Sequence, residues 1–307
     1  MPFIFAFALK LLPLYLNIFL GYLAGKKLQA NQETISKLMF FIISPLIIFN
    51  GVINTKLDFS VLSLPILTFA ISCSLCLIFY GISRKMWTDG SRNIMAFSAG
   101  SGATGYFGLP VAMLIFDEQT QGQYIMGLLG VALYDNSLGY FISAKGIQSS
   151  QQCLKKVLCL PTLYAFFLGL AINILKIPMP AVYADFIIPI RGVYLVFGMM
   201  IIGIGLAGLT QFKVDVKFLG MTFLAKFLVW PLLILFIIAL DKAYLGMYDT
   251  LSHQVLILIS IVPLAVNTVM MASIMNCQPE RAAATVLLST LFAFLYVPFM
   301  TAYFLSP

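Results

Sequence analysis

Apolar residues fill this chain in long blocks, and polar residues are confined to the short stretches between them. Cutting at the polar clusters predicts ten helical segments, at about 5–25, 33–54, 61–83, 91–116, 122–144, 155–175, 184–208, 216–240, 251–275 and 280–303. Most approach the ~20 residues with which an α-helix crosses the hydrocarbon core of a bilayer. The expected fold class is therefore an all-α membrane protein with ten transmembrane helices. One stretch breaks the pattern from within. SAGSGATGYFGLPVAML, residues 98–114, holds Gly100, Gly102, Gly105 and Gly108 and then Pro110. Glycine weakens a helix interior, and proline removes the N–H that closes an i→i−4 bond. Freed backbone groups cannot face lipid, so this stretch is expected to break its helix against protein or a water-filled cavity.

Composition identifies the solvent. Of 307 residues, 61% are hydrophobic and 9% charged, against roughly 25% charged in a soluble protein. A soluble globule of this size cannot hide so much apolar surface, whereas lipid accepts it. The first segment, PFIFAFALKLLPLYLNIFLGYLAG, has no basic leader and no small-x-small cleavage site, so it reads as a span that stays. Cys73 and Cys76 have the C-x-x-C spacing of a redox pair, but in ISCSLCLIFY they sit mid-segment and read as small packing residues. His253 is the one histidine, which excludes a histidine-rich metal site, and no acidic or cysteine cluster stands beside it in the sequence. No catalytic residue, metal or cofactor is expected.

Charge sets the direction. Lys26, Lys27, Arg84, Lys85, Lys145, Lys155, Lys156, Lys213, Lys217 and Arg281 all fall in connections on one side. The other side carries Lys56, Lys176 and Lys242 among Asp58, Asp117, Glu118, Asp185, Asp241 and Asp249. Lys and Arg stay cytoplasmic, so both termini are expected outside and the longest connection, 145–156, in the cytoplasm. The net charge of +7 follows from this bias and requires no nucleic-acid partner.

That connection separates a first repeat, 1–144, from a second, 157–307, with five segments in each. Five is odd, so the second repeat enters the membrane in the opposite direction, the inverted plan of many secondary transporters. Pro13 and Gly21 share their spacing with Pro161 and Gly169, and the 148 residues from Pro13 to Pro161 nearly match the 153 from Pro110 to Pro263. Helices 4 and 9 are thus expected to be broken, near Gly108–Pro110 and Val262–Pro263, and to cross at mid-membrane.

Few polar side chains interrupt the segments. Asn267 lies four residues after Pro263, one turn on, where its amide would face the same cavity as the freed backbone. The fifth segment carries Asp135, Asn136 and Ser137, neighbours that point in different directions. Lys226 lies about ten residues from either edge of the eighth segment, too deep to snorkel with ease. Arg191 stands nearer a boundary, where snorkelling competes with pairing. Asp135 is the natural partner for either cation, or else carries a coupling proton. Proton coupling and potential-driven movement both stay open at this point.

GYFGLP (105–110), IGIGLAGL (202–209), KFLVWPLL (226–233) and PLAVNTVMMASIMNCQPERAAATVLLST (263–290) resemble the auxin efflux carrier family. Its members are membrane transport proteins that include plant PIN carriers and bacterial malate and malonate permease-like proteins. The resemblance implies a fold like that of bile-acid sodium symporters, in which two inverted five-helix repeats carry proline-marked crossing helices around a carboxylate site. By motif, Pro110 and Pro263 match the crossing points, Asn267 the polar position beyond the second, and Lys226 the lysine of the eighth-segment motif. An asparagine common early in the family's fourth-segment glycine motif has no counterpart here, and Ser101 and Thr104 are the nearest polar residues. The short connection between the halves fits a bacterial inner-membrane protein.

The expected function is secondary transport, by efflux or exchange, of small organic anions such as mono- or dicarboxylates through alternating access. Substrate contacts are expected from Asn267, Pro263, Pro110, Gly108, Ser101, Thr104 and Asn136, with Asp135, Lys226 and Arg191 as coupling or structural charges. The partners are the solute and the bilayer, and a homodimer is an admissible assembly. An anion channel and a transporter-like sensor or receptor are the rivals, and no Walker motif provides for ATP use. The orientation is directly testable. With the other four cysteines replaced, Cys153 in the 145–156 connection should react with an impermeant thiol reagent from the cytoplasmic side alone. Labelling from outside overturns the orientation.

Overall fold

The computed structural model describes residues 2–143, 158–208 and 214–304. The 145–156 connection and Lys213 lie outside the described residues. Those described form helices and no strand. In chain order they are α1 Pro2–Lys27, α2 Gln32–Asn54, α3 Phe59–Ser83, α4 Ser91–Gly100, α5 Leu109–Ile115, α6 Glu118–Ser143, α7 Pro161–Ile174, α8 Ala181–Ala207, α9 Val216–Leu245, α10 Thr250–Ile261, α11 Asn267–Ile274 and α12 Pro279–Phe304. By length and composition α2, α3, α6, α8, α9 and α12 are each able to cross a membrane.

Proline shapes several of these helices in one recurring way. Its ring crowds the carbonyl four residues back and leaves that carbonyl without a donor. A π turn, which opens the helix by one residue, relieves the crowding. Such turns precede Pro45 in α2 (Met39–Ile43), Pro110 at the start of α5 (Thr104–Gly108) and Pro231 in α9 (Leu224–Val229). In α9 the carbonyl freed by Pro231 is that of Phe227, and the Tyr296 hydroxyl donates to it at 2.9 Å.

This relief moves the first break away from its expected place. Gly108 has ordinary helical angles (φ −70°, ψ −43°), and Pro110 occupies the first turn of α5, where a missing N–H costs little. Helix is lost instead at Ser101–Ala103, with Ser101 extended at φ −92°, ψ 163°. The glycines, not the proline, mark the break. The second break is where the sequence suggested. α10 ends at Ile261, Val262 is extended, and helix resumes at Asn267.

The chain clusters into two compact units, each drawing on both sides of the 145–156 connection. The first comprises residues 1–62, 105–126 and 160–208. In it α1 and α8 approach closely enough that a Cβ on Gly203 would collide with the Ile18 carbonyl and the Tyr22 N–H. Asn173 on α7 donates to the carbonyls of Val52 (2.7 Å), Ile53 (3.1 Å) and Thr55 (2.8 Å), satisfying groups at the C-terminal end of α2 that lack intrahelical donors.

The second unit comprises residues 63–104, 127–159 and 209–307. Thr68 on α3 donates to the Gly127 carbonyl of α6 at 2.7 Å. Cys76 is fully buried in a core with Ala96, Tyr134 and Ile142, the packing role its surroundings suggested. Arg281, counted above among the cytoplasmic charges, is buried. It donates to Asp215 at 2.6 Å and to the Ser91 hydroxyl. Burial works to raise the Asp215 carboxyl, but the Phe218 N–H and the Arg281 guanidinium outweigh it and hold the group below its usual range.

Close helix approach yields a stability test. Gly203→Leu should cost about 1–3 kcal/mol by overpacking and lower the thermal midpoint of the purified protein in detergent. Gly220→Leu, where a Cβ meets nothing within 4 Å, should leave that midpoint unchanged.

Candidate functional site

In the second unit the two interrupted segments touch at their breaks. The Ala103 N–H donates to the Pro263 carbonyl at 2.9 Å. Each break supplies what the other lost, because no continuous helix serves either group. Other backbone groups at the breaks find partners nearby or on α12. Ser101 N–H returns to Phe97 O (3.1 Å), and Leu264 N–H reaches the Ser289 hydroxyl of α12 (3.2 Å). Asn267 opens α11, whose next residues Thr268 and Val269 bond to the carbonyls of Ala265 and Val266 in tight i→i−3 steps.

Three polar side chains reach this meeting point with bonding capacity unspent. Asp135, 9% exposed on α6, accepts from Asn267 Nδ2 through Oδ2 at 2.9 Å, while its Oδ1 has no partner. Ser101 is fully buried, approaches the same carboxylate short of hydrogen-bond geometry, and leaves its Oγ unpartnered. Lys226, 1% exposed on α9, makes no hydrogen bond through Nζ. Its ammonium stands 4.5 Å from the Trp230 ring centroid, within cation–π range.

Local sequence explains why Lys226 arrives here. Pro231 induces the π turn Leu224–Val229, and Lys226 lies inside it. Trp230 is fixed by its indole N–H, which donates to Ala99 O near the end of α4 at 2.7 Å. A Cβ built on Gly102 would stand 2.5 Å from Lys226 Nζ, so this glycine admits the ammonium to the first break. Lys226 and Asp135 lie close enough for their charges to act on one another. The cluster thus offers a donor-only ammonium, a free carboxylate oxygen and a hydroxyl that both donates and accepts. That set suits a small charged or polar solute. Among the described residues no group of three or more His, Cys, Asp or Glu gathers as metal ligands would.

Of the residues singled out by sequence, Ser101, Asp135, Lys226, Pro263 and Asn267 come together, and Thr104 begins the π turn after the first break. Asn136 turns back on its own helix, donating to Ala132 O at 2.8 Å, as Ser137 does to Leu133 O at 2.6 Å. Gly108, Pro110 and Arg191 belong to the first unit. Asp135 is not the partner of Arg191, which pairs instead with Glu118 and donates to Gln121 Oε1 at 2.8 Å. Glu118 opens α6 and is largely exposed, whereas Arg191 is mostly covered. His253 also has an acid beside it after all, since Asp241 Oδ2 lies 2.8 Å from its Nε2. The same carboxylate accepts from the Met247 and Tyr248 N–H groups, fastening the turn between α9 and α10. Sequence reasoning missed Trp230 and Gly102. An aromatic ring four residues beyond a buried lysine was the available signal for the first.

Two stretches of the chain, residues 6–149 and 145–301, match a family model described as membrane transport protein, and together they span nearly all of it. No curated protein matches the chain.

Trp230→Phe keeps a ring beneath Lys226 and removes the donor to Ala99 O. A buried carbonyl left unpaired costs about 1–3 kcal/mol. The purified variant should unfold at a lower temperature, while Trp87→Phe, used as a spectroscopic control, reports the signal of the remaining indole.

Proposed function

This chain belongs to the membrane transport protein family, and from that premise we propose that it is a secondary transporter of small organic anions, mono- or dicarboxylates, working by alternating access. It does so as a multi-pass protein of ten membrane helices in two inverted five-helix repeats, in a bacterial inner membrane with both termini outside. The broken pair is α4 with residues 104–115, and α10 with α11. What carries the proposal is the bond from Ala103 N–H to Pro263 O with the buried Lys226 ammonium beside it. Paired breaks of this kind suit a fixed solute site that opens to either side, and so favour a carrier over a channel.

The chemistry derives from the donors. A carboxylate entering the cluster accepts from Lys226 Nζ and from the Ser101 hydroxyl, and the N-terminal end of α11 adds a favourable dipole. Asn267 acts one step back, holding Asp135 by its Oδ2 and so setting where the charged groups face.

Counterflow tests this. Proteoliposomes loaded with an unlabelled carboxylate should accumulate the labelled acid transiently above equilibrium, which a channel cannot do. Saturable flux of a cation or neutral solute, with no carboxylate exchanged, overturns the anion assignment. Asn267→Ala removes one partner of a desolvated hydrogen bond and should lower exchange about tenfold in protein that still purifies folded. Unchanged exchange in that variant removes Asn267 from the site.

A further inference from the structure

We propose that a monocarboxylate solute crosses together with one proton, and that Asp135 is the residue that takes up and releases this proton. The proposal rests on the transport reading above and concerns the coupling of the same site.

The argument is one of buried charge. Two ionisable side chains of opposite sign meet at the breaks, Asp135 and Lys226, both more than nine-tenths buried. Besides Lys226 on α9, the groups that face Asp135 from the packed elements are uncharged polar ones. Asn267 comes from α11 and Ser101 from the first break, and Tyr134 on its own helix donates to Phe97 O at 3.0 Å. The thiols of Cys73 and Cys76 on α3 lie beyond that phenol. With both charges present and no solute, the cluster is neutral. A monocarboxylate bound to Lys226 makes it net negative, and an uncompensated buried charge is the costly state. One proton on Asp135 restores neutrality.

Hydrogen bonding identifies where that proton goes. Oδ2 already accepts from Asn267, and Oδ1 has no partner. Protonated at Oδ1, the carboxyl becomes a donor, either to the Ser101 oxygen or to the bound carboxylate. Lys226 Nζ then donates to the solute, and each of the three unpartnered groups gains a partner in one step. On the far side the carboxylate and the proton leave together, and Asp135 and Lys226 again neutralise one another for the return. Only the O–H bond at Asp135 forms and breaks, and no net charge moves in a cycle with a monoanion.

The test uses the full-length protein in proteoliposomes with labelled pyruvate, whose strongly acidic carboxyl keeps passive leakage of the neutral acid low, and a trapped pH indicator. Pyruvate entry should acidify the lumen with one proton per molecule and should ignore a membrane potential imposed with potassium and valinomycin. A pH gradient should concentrate pyruvate about tenfold per pH unit, the free energy of one proton. In Asp135→Asn the remaining flux should carry no protons and should become sensitive to the imposed potential, because the cluster now keeps a fixed positive charge. A merely structural Asp135 would lower the rate and leave both properties intact. Net pyruvate uptake in the wild type without proton movement overturns the coupling alone. Absence of carboxylate counterflow overturns the transport reading with it.

Discussion

In hydrocarbon there is no water to complete a broken hydrogen-bond ladder, so every interruption of a membrane helix must find its partner inside the protein. The bond from Ala103 N–H to Pro263 O is how this chain meets that demand at its two most irregular places. It brings together segments more than 150 residues apart in sequence. It also fixes what surrounds them: Ser101 on one side, Asn267 at the head of the resumed helix on the other, and Asp135 tied to that amide. The same bond thus settles the backbone and assembles the polar cluster.

Prolines meet the helices of this molecule in different ways, and Pro13, Pro65, Pro189 and Pro298 lie within helices that run on past them. Before Pro45, Pro110 and Pro231 the helix widens into a π turn and continues. At Pro231 the freed carbonyl finds the Tyr296 hydroxyl, which removes the reason to break. Pro263 instead lies in extended chain, and its carbonyl is used by the other segment. The π turn before Pro231 has a further consequence, because it carries Lys226 to the first break and stacks its ammonium over Trp230. A backbone accommodation made for one imino acid positions the buried cation.

The charged residues divide by how completely they are paired. Arg191 with Glu118, Arg281 with Asp215 and Ser91, and His253 with Asp241 each form close contacts that fasten helix ends or turns. Lys226 has a ring beneath it but no hydrogen bond, and Asp135 has one oxygen bonded and one free. Buried groups that serve only structure are normally satisfied. Incomplete pairing at two opposite charges in one cluster is the observation on which the proposed solute and proton site rests.

Much was legible in the residues themselves. Long apolar blocks with few charges demand lipid and helices, and the placement of Pro263 and Asn267 one turn apart located the second break and its amide. Those signals are local, being properties of solvent transfer and of a few consecutive residues. The first break was legible only as a region, because glycine permits irregular backbone without requiring it, and tertiary packing chose Ser101–Ala103 over Gly108–Pro110. The approach of Gly102 to Lys226 and the partners of Arg191 and His253 were invisible for another reason. Which side chains meet depends on how distant segments approach, and no spacing along the chain encodes that separately from the packing. Sequence alone therefore determined the solvent, the helices and the kind of polar group placed in them. Only the tertiary structure decided which of those groups face one another with their hydrogen bonds unfilled.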